Sequence, residues 1–303
     1  MSRRGALLFA AMCVIWGIPY LLIKVAVDDM SPSMLVLGRT AVAALLLLPI
    51  AAARGELRPL LPYWAPILAF AAIEIALPWV LLGAAETKVS SSLTGLLIAA
   101  VPLVAVVIAT STRVERPSLM SGIGLALGVL GVAAIVGVNF EGAHAVPLAE
   151  IGLVAVCYAV GPAILQRWLT GLPALGVIAA SLLLTAVVYV PFAATRVPDE
   201  TPSTGALASV VALAVVCTAL AFLLFFALIA EVGPVRATVI TYVNPAVALA
   251  FGVTLLHEPF TVGIAIGFVL IVFGSFLATR RTAPSSPGVS LSEERPQPIR
   301  TTR

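Results

Sequence analysis

The sequence predicts an all-α integral membrane protein: ten transmembrane helices built as two inverted five-helix repeats, with both termini in the cytoplasm. Three observations predict it. The 303 residues are 61% hydrophobic and 10% charged, with a mean hydropathy of +1.14, whereas a soluble domain carries about 25% charged residues to wet its surface. Apolar runs close to the ~20 residues that cross a ~30 Å hydrocarbon core recur along the chain. The chain also matches itself at an offset of 143 residues, which sets Pro102 on Pro245, Glu115 on Glu258, Gly124 on Gly267 and Gly131 on Gly274.

The first apolar segment, 5–26, follows Arg3 and Arg4 and continues through Trp16 to Ala26 without a small-residue cleavage site. Met1 to Met12 therefore reads as the start of a retained span and not as a signal peptide. Ser31-Pro32 caps the second span, 33–53, and Arg58-Pro59 leads into the third, 62–83. Ser90 to Ser92 opens the fourth, 91–110, and Arg116-Pro117 the fifth, 118–138. The second half repeats the scheme at 147–166, at 174–193 after Gly171 to Pro173, and at 205–230. It ends with 235–255 after Gly233-Pro234 and 262–279 after Glu258-Pro259. Serine, proline and glycine at these joints are start and stop chemistry for helices. In lipid each segment must satisfy its own backbone, so each span is a helix. The ten-residue alternation of a β-barrel is absent. The repeats are thus placed at 5–138 and 147–279, and residues 280–303, rich in Ser, Pro, Glu and Arg, are expected to form a disordered cytoplasmic tail.

Ten spans return the chain to the side on which it starts. With the N-terminus inside, the inner loops hold Arg3, Arg4, Arg54, Arg58, Arg113, Arg116, Arg167, Arg236, Arg280 and Arg281. The outer loops hold only Lys24, Lys88 and Arg196. That asymmetry predicts both ends in the cytoplasm of a multi-pass protein of the cell (inner or plasma) membrane. Five spans per copy is an odd number, so the second copy is inverted, as in transporters that alternate access around a midplane site.

Composition also limits partners. A net charge of +3 from scattered arginines, with no basic patch among aromatics, argues against nucleic acid. Cys13, Cys157 and Cys217 lie singly inside apolar runs with no metal spacing, so no disulfide, metal or cofactor is expected. No P-loop is present, so energy must come from a gradient or a partner. The three aspartates, Asp28, Asp29 and Asp199, do not form the magnesium-holding cluster of a membrane-embedded transferase. That enzyme class and a passive channel stand as the alternatives to a carrier. The expected partners are a small-molecule substrate, the bilayer and protons, in a monomer or weak homodimer.

Ile15-Trp16-Gly17, Lys24, Pro32 and Arg39 resemble the first two helices of EamA-domain proteins. So do Pro102…Glu115-Arg116-Pro117…Gly124 and the second copy, Pro234…Asn244-Pro245…Glu258-Pro259…Gly267…Gly274. Over roughly residues 5–279 the chain resembles the ten-helix EamA branch of the drug/metabolite transporter superfamily. The resemblance implies a helical bundle around a central cavity that exports amino acids or other small metabolites. The motifs do not carry the identity of the substrate. The second copy departs from the pattern at Tyr158-Ala159, where the first has Trp16-Gly17.

Several residues are candidates for the cavity. Glu74 falls near the middle of the third span, where a carboxylate is costly unless paired, protonated or wet, and intramembrane acids are functional candidates by default. Arg39 lies about 9 Å below the outer end of its span and Glu74 about 13 Å below its own, by the helical rise. That offset suits the carboxylate and ammonium of an α-amino acid. Snorkelling of Arg39, or its direct pairing with Glu74, is the other reading. Trp16, Tyr20 and Lys24 share a face at i, i+4 and i+8, matched in the second half by Tyr158, Pro162 and Gln166. The ninth span offers Thr238, Thr241, Tyr242 and Pro245, with Asn244 beside them. Trp79 lies outward of Glu74. Pro78, Pro102, Pro162 and Pro245 are the expected kinks or gates. Glycine pairs in the fifth and tenth spans fit close helix packing within the bundle. Glu115 and Glu258, beside prolines in short loops, fit capping or gating, and His144 and His257 lack metal-ligand company.

Overall fold

The computed structural model of the chain describes residues 1–112, 118–139, 145–198 and 200–279. Arg113, Glu115, Arg116, Pro117, His144, Asp199 and the expected tail at 280–303 lie outside the described residues. Among the described residues there is no strand, and nine helices are long and apolar enough to cross a membrane. They are α1 (Arg3–Val27), α2 (Pro32–Ala53), α3 (Arg58–Glu86), α4 (Ser91–Ser111), α5 (Leu119–Gly137), α6 (Ala145–Trp168), α7 (Ala174–Ala194), α8 (Thr204–Val232) and α10 (Val262–Thr279). The remaining apolar helix, α9 (Ile240–Leu255), has 16 residues and spans about 24 Å. A separate helical turn, Pro234–Ala237, precedes it.

The helices depart from regular geometry at defined places. α1 is two pieces, Arg3–Ile15 and Pro19–Val27, because Pro19 lacks an N–H and its ring displaces the carbonyl one turn earlier. α4 breaks likewise into Ser91–Ile98 and Val101–Ser111 just ahead of Pro102. α3 and α8 each contain one π-helical turn, Ala71–Ala76 and Val215–Leu220. The wider turn leaves carbonyls to be satisfied from outside the helical ladder. Tyr189 Oη donates to Ala76 O at 2.9 Å, and Thr218 Oγ1 to Leu213 O at 2.8 Å. α6 is continuous from Ala145 to Trp168 with Pro162 inside it, so that proline does not break its helix.

Side chains close helix ends at two of the expected serine joints, Ser31 and Ser90, and also at Ser203. Ser31, Ser90 and Ser203 accept the N–H groups of Met34, Leu93 and Ala206. The loops meet at two ends of the bundle. At one, Ser203 N donates to Asp29 Oδ2 at 3.0 Å, and this serine's hydrogen bonds hold the Asp29 carboxyl below the usual carboxylate range. At the same end Lys24 Nζ donates to Glu86 O at 2.7 Å, and Glu258 accepts the N–H groups of Ser91 and Ser92. At the other, Gly176 N donates to Glu56 Oε2 at 3.0 Å.

The helices pack in pairs: α2 on α7, α5 on α10, α4 on α9, α1 on α8 and α3 on α6. The α5–α10 contact runs backbone to backbone. A Cβ on Gly274 would stand 2.6 Å from Gly124 O and 2.7 Å from Gly128 N, and one on Gly267 would stand 2.7 Å from Gly131 O. The glycine stripes thus face one another inside the bundle. Gly274→Ala is therefore expected to destabilise the protein by about 1–3 kcal/mol, because backbone cannot yield as a side chain does. Gly122→Ala, with open space around it, is the control whose thermal unfolding in detergent stays at or above the parent's. Equal melting of the two variants would contradict the close packing.

Candidate functional site

The centre of the bundle is organised by Arg39. It is the eighth of the 22 residues of α2 and is 7% exposed, so it does not snorkel. Its guanidinium carbon lies 3.5 Å from the centroid of the Trp79 ring, and its Nε donates to Thr218 Oγ1 at 2.9 Å. A desolvated cation over an indole face gains about 2 kcal/mol or more. No carboxylate shares this site at contact distance: among the described residues, the ion pair within 4.0 Å is Arg54–Glu56 at 3.9 Å. The sequence-level alternative of an Arg39–Glu74 pair is therefore not what the structure holds.

Glu74 occupies the π-turn of α3 and is turned toward α6. A Cβ at Gly161 would fall 1.8 Å from its Oε2, so only glycine admits the carboxyl there. That Oε2 is buried without a hydrogen-bond partner. Cys157 and Tyr158 of α6 are its electrostatic neighbours. Tyr158 also faces Tyr20 and Arg39, and Tyr20 rests on Gly95 of α4. The structure thus gathers Tyr20, Arg39, Glu74, Trp79 and Tyr158 into one polar cluster between α1, α2, α3 and α6, closed by Thr218 of α8.

The other sequence-predicted residues lie apart from this cluster. Trp16, at the break of α1, stands 4.7 Å and 6.0 Å, ring to ring, from Phe225 and Phe222 of α8. Asn244 joins α9 to α1: with its amide nitrogen turned to the acceptors, it donates to Ile240 O at 2.9 Å and Cys13 O at 3.1 Å. Thr241 is exposed and donates to Thr238 O at 2.8 Å. Thr238 is exposed as well. Tyr242 pairs with Thr279 Oγ1 at 2.7 Å and packs edge-on to Phe276, which places it toward α10. Pro78 is buried just after the π-turn, Pro245 is buried within α9, Pro102 is half-buried at the α4 break, and Pro162 is exposed on α6. Among the described residues no group of three or more His, Cys, Asp or Glu is placed to hold a metal.

Two residues that sequence reasoning passed over belong to the polar interior. Thr218 lies in a π-turn 144 residues after that of Glu74, so the two are counterparts; the offset of 143 read from the prolines falls one residue short, on Cys217. Glu86 is fully buried, at 0% exposure, at the end of α3. Its spacing of seven from Trp79 puts both on one helical face.

Comparison with known proteins adds the family. The profile of the EamA-like transporter family matches residues 3–137 and again 151–280. The chain is 26% identical over 302 residues to a Bacillus subtilis (strain 168) protein described as the uncharacterized transporter YvbV, covering 98% of each chain. It is 29% identical over 292 residues to the uncharacterized inner membrane transporter YedA of Escherichia coli (strain K12), covering 92% of each. A crystal structure with 21% sequence identity superposes with a TM-score of 0.65 over 91% of this chain and 96% of its own, which speaks to the fold alone. With two matches of one profile covering nearly all of its helices, the chain belongs to the EamA-like transporter family and is a membrane transporter.

Proposed function

We propose that this protein is a secondary transporter of the cell membrane that exports small metabolites such as amino acids by alternating access, coupled to protons. The observation that carries the proposal is the pair of separately placed ionisable groups at the centre, one guanidinium and one carboxyl. Arg39 has no carboxylate partner within 4.0 Å among the described residues, and Glu74 keeps a buried oxygen without a donor. A zwitterion answers both, its carboxylate taking the guanidinium fork and its ammonium taking Glu74. Glu74 then exchanges between substrate and proton, which gives the coupling.

The alternating-access part is supported by duplication. The helix pairs α1–α8 and α6–α3 exchange under a five-helix shift, while α2–α7, α4–α9 and α5–α10 map onto themselves. The two π-turns exchange in the same way. Two inverted repeats, 5–138 and 147–279, rocking about the central cluster fit this pattern. The arginine asymmetry supports cytoplasmic termini, and the inner-membrane description of YedA supports the location. Glycine faces spent on the α5–α10 contact favour the monomer.

The test is uptake of a panel of labelled amino acids into liposomes carrying the purified protein, with and without an imposed pH gradient. Accumulation driven by the gradient is expected for the parent. Glu74→Gln should keep the fold and lose the response to the gradient; an unchanged pH profile would remove Glu74 from the coupling. Arg39→Lys keeps the charge but forfeits the planar fork and the stack on Trp79, so its KM should rise about 10- to 100-fold. An Arg39→Lys variant with parental KM would make the arginine structural. Silence across the whole panel would strike amino acids from the cargo.

A further inference from the structure

The structure buries a second carboxyl that the central site does not use. Glu86 closes α3 with 0% of its surface exposed, and neither carboxyl oxygen has a hydrogen-bond partner. Its charged neighbours are Lys24 of α1 and Glu258 of the loop before α10. Both are engaged elsewhere. Lys24 Nζ donates to the main-chain oxygen of Glu86 at 2.7 Å. Glu258 accepts the Ser91 and Ser92 N–H groups at 2.7 and 2.8 Å, so it clamps the N-terminus of α4 to the end of α9. Gly252 leaves the room: a Cβ there would stand 2.4 Å from Glu258 Oε2 and 2.2 Å from Ser92 Oγ. The hydroxyls of Ser91 and Ser92 are buried and, like the Glu86 carboxyl, without partners.

The remaining titratable groups on the helices packed against Glu86 are few. Tyr20 of α1 has both Glu86 and Arg39 as electrostatic neighbours and so links this pocket to the central cluster. On α2 the group is Arg39. On α6, Tyr158 faces the central cluster and Glu150 lies next to Ile151, which packs with Ala85 and Val89. The α4 sequence has no ionisable side chain.

An ionised carboxylate without water or a donor is too costly to bury, so the packing holds the neutral acid. We propose that Glu86 is a proton-binding site of the outer gate, loaded while the Glu258 clamp is shut and unloaded to the outside when it opens. On opening, water reaches Glu86, its O–H bond breaks, and the proton leaves to the external solvent. The resulting carboxylate takes the Lys24 ammonium, which moves from the carbonyl to the carboxyl of the same residue. That ammonium already supplies the positive charge, so a metal cation has no place there. The inference rests on the transport reading in one respect: it takes this end of the bundle as the external one.

The test needs no substrate. Ser92→Cys places a thiol behind the clamp, and its labelling by a membrane-impermeant maleimide added to intact cells reports opening. Cys13, Cys157 and Cys217 are buried, and the parent supplies the blank. Rates are normalised to those of exposed Thr87→Cys at each pH, which cancels the chemistry of the thiol itself. With Glu86 present, the normalised rate should rise about tenfold from acidic to alkaline pH, as one carboxyl ionises. With Glu86→Gln added, it should stay low and flat. With Lys24→Gln instead, the rise should move to higher pH, because the freed carboxylate has lost its partner; this variant tests the site even if Glu86→Gln fails to fold. An equally steep pH response in Glu86→Gln, or a response to sodium at fixed pH in place of pH, would overturn the proposal. Labelling only from the cytoplasmic side of inverted vesicles would overturn the external assignment, while the Glu86→Gln comparison still judges the proton site.

Discussion

Everything in this molecule follows from the demand that a chain in hydrocarbon satisfy its own backbone. Regular helices meet the demand without help, and most of the chain is regular. The exceptions are the breaks in α1 and α4 and the π-turns in α3 and α8. Each leaves carbonyls short of partners, and side chains have to answer: Tyr189 for Ala76 and Thr218 for Leu213. Irregular backbone at membrane depth is tolerated only where protein surrounds it. The polar cluster gathers at these points for the same reason, since Glu74 and Thr218 both belong to π-turns and Tyr20 follows the break of α1.

Burial of Arg39 is possible because one face of its guanidinium and one edge are served separately. The Trp79 ring covers a face, Thr218 takes Nε, and the rest of the donor fork is not consumed by a carboxylate within 4.0 Å among the described residues. A buried Arg–Glu pair would be worth little or nothing against an apolar replacement. Keeping Arg39 and Glu74 apart gives up compensation of a buried charge and so costs stability, and it leaves both groups available to a dipolar ligand under the proposed function.

Much of the architecture was legible in the sequence because the signals were physical. Span lengths followed from hydrophobic thickness, and the joints from serine and proline. Close packing of the fifth and tenth spans within the bundle followed from glycines that let backbones touch, though not that the two meet each other. Tyr20, Arg39, Glu74, Trp79 and Tyr158 stood out because polar groups are rare at such depth. The remainder was hidden for equally physical reasons. A π-turn adds one residue and leaves hydropathy unchanged. Thr238, Thr241, Tyr242 and Pro245 do share the spacing of one face, but lipid and neighbouring helices are both apolar, so spacing cannot say which way the face turns. Tyr242 turns to α10. Glu86 sits at the last position of its span, where an acid looks like a headgroup-level residue; its burial comes from tertiary packing.

The duplication also clarifies why the chemistry is lopsided. The backbone treats the two halves alike at the third and eighth helices, where π-turns recur 144 residues apart. The side chains do not: the first presents Glu74 and the second Thr218, and the arginine that Thr218 holds comes from the first half. Matching backbones are what two interchangeable gating states require, since each half must adopt the conformation of the other. Matching charges would be a liability, because two acids or two guanidiniums at one centre repel and a dipolar ligand needs one of each. Under the proposed function, a matched scaffold carrying one guanidinium and one carboxyl at its centre would serve both alternating access and recognition of a single small zwitterion.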